Sequence, residues 1–97
     1  MDVSVQQFEP TLPPLDEATA REHVAELRAL AAEHGITNLR FASPGRLVGT
    51  AGSDEEYQPD EFELAVIDRL HVEVTLIADR VLSKRGVSSD LLTATAL

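Results

Sequence analysis

The chain has no cysteine and no tryptophan, and its only aromatic residues are Phe8, Phe41, Tyr57 and Phe62. Without cysteine there are no disulfides and no thiolate metal sites, which fits a reducing cytosol. With so few aromatics, the core must be built from aliphatic side chains. Long apolar runs are missing too, and nothing approaches the roughly 18 residues needed to span a bilayer. The first residues include Asp2, no early Lys or Arg and no apolar stretch, which is not the pattern of a secretory signal. Bases are also scarce: 8 Lys and Arg stand against 17 Asp and Glu, for a formal charge of −9. Phosphate backbones and anionic lipid repel such a chain. Composition therefore speaks against nucleic acid and membrane as partners, favours a basic protein surface, and points to the cytoplasm.

What is present reads as one α+β domain. A chain of 97 residues buries only about 60–65% of its unfolded surface, so its core is marginal alone or is completed in an oligomer or complex. Residues 1–15 hold Pro10, Pro13 and Pro14 without helical periodicity, which predicts an extended tail that Val3, Val5 and Phe8 can pin to the body. Residues 16–97 form the domain. The clearest helix covers 16–34, capped by Asp16 or by Thr19 with Glu22, and striped by Ala20, Val24, Leu27 and Ala31. Gly35 ends it. His23 and His34 fall on one face of that helix but about 16 Å apart, too far to share a metal. Strands follow over 38–42 and 46–51, divided by the turn Ser43-Pro44-Gly45.

The alternation of Phe62, Leu64 and Val66, and then of Val72, Val74 and Leu76, predicts strands over 61–67 and 72–77 paired as a hairpin through a short link. A short helix over 79–85 and a last helical turn carrying Leu91 and Leu92 complete the chain. The expected fold is thus a long N-terminal helix packed on a mostly antiparallel sheet of three to four strands, with short C-terminal helices.

Two groups of residues carry candidate function. The first is the acidic stretch with Asp54, Glu55, Glu56, Asp60, Glu61 and Glu63. It lacks the order of a calcium loop. Its concentrated negative field suits docking of a basic partner through Asp54, Glu55, Glu56 and Asp60, with Tyr57 as an aromatic anchor inside the charge. The small basic patch of Arg80, Lys84 and Arg85 gives the molecule an opposite pole.

The second group is Leu39-Arg40-Phe41-Ala42-Ser43, followed by Glu61-Phe62-Glu63 and by Val72-Glu73-Val74-Thr75. It resembles the active-site order of the minimal nucleotidyltransferases. There a helix leads into a strand ending Phe-Gly-Ser, then an Asp-x-Asp strand, an intervening helix, and a strand with a third Asp. The resemblance implies that Ser43 holds a vestige of the triphosphate site and that Glu61, Glu63 and Glu73 stand where the Mg²⁺ ligands would be. The departures weigh against activity. Ala42 has a Cβ where the nucleotide needs bare backbone, and Glu adds a methylene at each carboxylate.

Members of that family are often one half of toxin–antitoxin pairs. The resemblance thus implies a non-catalytic protein-binding module, antitoxin-like or regulatory, with a basic protein such as a toxin as partner and no cofactor. Two alternatives stand beside it. One is an atypical nucleotidyltransferase using Mg²⁺ and a nucleoside triphosphate through Glu61, Glu63, Glu73 and Ser43. The other is a homo-oligomeric structural protein.

Overall fold

The computed structural model describes residues 12–53 and 55–97. The first of these are extended and docked rather than helical. Leu15 is fully buried. Its N–H donates to the Glu73 carbonyl at 3.0 Å, and its own carbonyl accepts the Gly45 N–H at 2.8 Å. Prolines at 13 and 14 hold this geometry because their fixed φ disfavours helix. Val3, Val5 and Phe8 lie outside the described residues.

Asp16 then caps a helix by accepting the Thr19 N–H at 2.7 Å. The expected single long helix is divided into α1 (Glu17–Glu22) and α2 (Val24–Glu33). The break is His23, at φ −112° and ψ 25°. Backbone bonds run through it, from His23 N–H to Thr19 and from Leu27 N–H to His23, so the two segments form a bent helix without proline or glycine at the bend. The bend lets each half bury its own face. Arg21 on α1 reaches the Ala96 carbonyl and Thr95 Oγ1 at 3.2 and 2.9 Å. Meanwhile α2 buries Leu27, Leu30 and Ala31.

Four strands form a mixed sheet in the order β3-β2-β1-β4. β1 (Ile36–Ser43) and β2 (Arg46–Ala51) pair antiparallel across the predicted Pro44-Gly45 turn. A bulge in β1 puts Asn38 at φ 52°, a conformation Asn tolerates better than most residues. β3 (Thr75–Ala78) pairs parallel with β2, and β4 (Thr95–Ala96) antiparallel with β1.

A parallel β2–β3 pair needs a crossover, and α3 (Pro59–Leu70) supplies it. This overturns the predicted hairpin. Residues 61–67, expected as a strand, lie in the middle of that helix. The apolar residues there follow the spacing of one helix face rather than of one strand face. Phe62 and Val66, four apart, are both fully buried, whereas Leu64 is 65% exposed. Helical i, i+4 spacing explains that pattern and alternation of faces does not.

The core lies between the sheet and α1–α3 and is aliphatic apart from Phe41 and Phe62. Leu47 and Val48 are adjacent in β2 and both fully buried. Both faces of the sheet are therefore covered there. The second face is roofed by a 3-10 helix (Asp79–Ser83) and by α4 (Ser89–Leu92), which cross it before β4.

Candidate functional site

Ser43 ends β1 where the resemblance expects a triphosphate-binding hydroxyl, but its Oγ donates to Asp90 Oδ2 on α4 at 2.6 Å. Arg46, the first residue of β2, donates to the same carboxylate at 3.1 Å. The intervening turn carries Gly45 at φ 80°, and Pro14 Cβ would sit 3.2 Å from a Cβ added there. The end of β1 is thus engaged on one side by α4 and on the other by the docked segment before α1.

The three glutamates are not gathered. Glu61 is exposed in the first turn of α3. Glu63, on the same helix, accepts the Leu76 N–H with Oε2 at 2.8 Å. Glu73 precedes β3 with its side chain exposed, and its backbone is bonded to Pro13 and Leu15. Placing Glu61 and Glu63 on a strand after the Ser43 turn is therefore corrected. The strand in that place is β2, Arg46-Leu47-Val48-Gly49-Thr50-Ala51, which has no carboxylate. Among the described residues, no three His, Asp or Glu side chains are placed to share a metal ion.

Glu63 has a different task. Thr75 N–H faces the β2 side, donating to Gly45, so alternation turns the Leu76 N–H outward at the sheet edge. The Glu63 carboxylate covers that donor, as charged side chains do on edges that must not recruit another strand. At the opposite edge, Arg21 covers the Ala96 carbonyl.

Of the acidic stretch, Asp54 lies outside the described residues. Glu55 and Glu56 are exposed in a turn, and Asp60 is exposed in the first turn of α3. Tyr57 does not project from this surface. It is half-buried and packed against the core, with the Arg80 guanidinium 5.5 Å from its ring centroid. Burial pushes its phenol above the ordinary pKa. The stretch is also anchored at its end, since Gln58 N–H donates to the His34 carbonyl at 2.9 Å. Lys84 and Arg85 stand exposed in the turn after the 3-10 helix.

Sequence reasoning missed two aspartates. Asp79 accepts from Thr50 Oγ1 at 2.6 Å and from Arg40 Nη2 at 2.9 Å. Asp90 holds Ser43 and Arg46. In each, a hydroxyl hydrogen bond first and a guanidinium second keep the carboxyl below its usual pKa. Their partners lie 29 to 47 residues away, and no local pattern announces such a pair.

A pH dependence follows, because a depressed folded-state pKa stabilises only where the carboxylate is ionised. This contribution is complete above the unfolded value of about 3.9 and fades as pH falls through the lower folded value. The Asp79→Asn/Asp90→Asn variant should melt below the parent at neutral pH. The gap should narrow below about pH 4 in a thermal-melt series. A gap that stays constant to acid pH would refute the assignment.

Among the described residues no helix is long and apolar enough to cross a membrane. Among protein-family models, curated proteins and solved structures, none matches this chain.

Proposed function

We propose that the chain is a non-catalytic protein-binding module, antitoxin-like or regulatory, built on a nucleotidyltransferase-derived scaffold and taking a basic protein partner. The observation that carries this reading is the composition of β2. After the Ser43 turn the chain continues into β2, helix α3 and β3. β2, the strand that follows Ser43, has no carboxylate among Arg46 to Ala51. Two-metal chemistry needs carboxylates on that strand to clamp both ions. Ser43 and Glu63, the residues that would assist, are bonded to Asp90 and Leu76. Exposed Glu55, Glu56, Asp60 and Glu61 on a −9 chain give a field that steers and orients a cationic surface.

Two measurements test this. Titration with ATP and Mg²⁺ should give no saturable binding, and labelled nucleotide should reach neither protein nor RNA. Transfer abolished by Glu63→Gln or Glu73→Gln would restore the enzyme reading. Coexpression with the product of the adjacent reading frame should give a complex whose association slows as salt rises. Reversing Glu55 and Glu56 to Lys should slow it further and flatten the salt dependence, leaving the fold intact because such exposed charges contribute little stability. An association rate indifferent to both salt and charge reversal would remove the acidic surface from recognition.

A further inference from the structure

We propose that the outer face of α3 docks a basic amphipathic helix of a partner protein, with Leu64 as the apolar anchor. This rests on the protein-binding reading and names the chemistry of the partner. The orientation of α3 is fixed on three sides. Phe62 and Val66 face the core, Glu63 bonds to the Leu76 N–H of β3, and Arg69 donates to Glu26 of α2 at 2.7 Å. At 100° per residue, Asp60, Glu61, Ile67 and Asp68 all fall within about 60° of Leu64, on the side left over.

Leu64 and Leu92 are the large apolar side chains left exposed among the described residues, at 65% and 59%. Leu64 alone of the two has an apolar companion one turn away on its helix. That companion, Ile67, is half-buried and lies outside the group of side chains packed against the core. Asp60 and Glu61 precede the pair and Asp68 follows it, all three exposed. Among the described residues none of these acids meets a base, since the ion pairs use Glu17, Glu26, Asp79 and Asp90.

Unpaired acids bracketing an apolar pair are the complement of a base–apolar–base pattern. A helix laid along α3 can present that pattern from one face. Asp60 and Asp68 are about 12 Å apart along the axis, at 1.5 Å per residue. Matching bases therefore stand about seven or eight residues apart on the partner helix, with apolar residues between them. A second copy of the chain is the poorer occupant, because it carries the same −9 charge and is repelled.

Amide-resolved NMR titration of the full chain tests this with two synthetic alanine-based helices of about 18 residues. Both carry Lys two turns apart. One has Leu and Ile between the lysines, and in the other both are Ala. The first should shift amides of α3 around Leu64 and bind about tenfold more tightly than the second, the scale of losing one anchor residue. Leu64→Ala should erase that preference without weakening the all-alanine peptide. Asp60→Asn/Asp68→Asn should weaken both peptides and keep the preference. Equal binding of the two peptides, a preference surviving in Leu64→Ala, or shifts centred on Glu55 and Glu56 would overturn the proposal while leaving acidic recognition in place. Absence of salt-sensitive binding by either peptide would remove both readings. Amides of α3 that shift with protein concentration alone would give the face to a second copy and overturn the proposal as well.

Discussion

Gly35→Ala is expected to destabilise the protein by about 2–4 kcal/mol, through two separable costs. Gly35 follows α2 at φ 75°, the left-handed conformation that closes a helix and that an L-residue with a Cβ resists. A Cβ here would also lie 2.3 Å from the Glu56 carbonyl oxygen and 2.9 Å from the Tyr57 nitrogen. These are backbone atoms, so no side chain can swing aside. The contact joins the end of α2 to the segment entering α3, and Gly52 N–H and Gln58 N–H bond to the Gly35 and His34 carbonyls at 2.8 and 2.9 Å in the same corner.

For a domain of this size each kcal/mol moves the melting point by roughly 4–8 °C, so a fall of about 8–32 °C should be seen by circular dichroism. Gly35→Asn separates the two costs. Asn accepts the left-handed conformation but still brings a Cβ, so it should recover only the smaller, dihedral part. An Asn variant as stable as the parent would mean that the corner yields freely and that the close approach carries no energy.

What the sequence announces and what it conceals divide along physical lines. Local signals were legible. The Asp16 cap, Gly35 as a helix stop and the Pro44-Gly45 turn come from effects within four residues: a carboxylate on a nearby N–H, the fixed φ of proline and the positive φ open to glycine. Signals that depend on a distant partner were not. The parallel pairing of β3 with β2 is set by the crossover through α3, and a short run such as Val74-Thr75-Leu76-Ile77 does not say which neighbour it will choose. Ser43 could be singled out from the sequence, but Asp90, which holds it, could not.

Glu63 shows the same limit in the candidate site. As one of two glutamates two residues apart it suggests a metal ligand. Only the turn of α3 toward the edge of β3 reveals that it covers a backbone donor. The acidic stretch was legible in its charge, which is additive and local. It was not legible in its aromatic, because the burial of Tyr57 and its contact with Arg80 depend on the end of β3 and the 3-10 helix.

The misread period has its own decisive test, and it carries the largest expected effect. Phe62→Ala should cost about 3–5 kcal/mol, since Phe62 is fully buried and central to the cluster that joins α3 to the sheet. Leu64→Glu should be close to neutral, because that side chain is 65% exposed on the far side of the same helix. On a strand the two residues would share a face and both substitutions would be severe. On α3 they point about 200° apart, at 100° per residue. The comparison is therefore a test of secondary structure as well as of packing.

Urea denaturation of the two variants beside the parent measures it. Phe62→Ala should lower the midpoint sharply or leave too little native protein to fit, and Leu64→Glu should leave midpoint and slope nearly unchanged. Phe62 belongs to one core cluster to which α2, α3 and the sheet all contribute, so collapse around the cavity recovers little of the lost contact. A large loss in Leu64→Glu would put that side chain in a buried environment and return residues 61–67 to a strand.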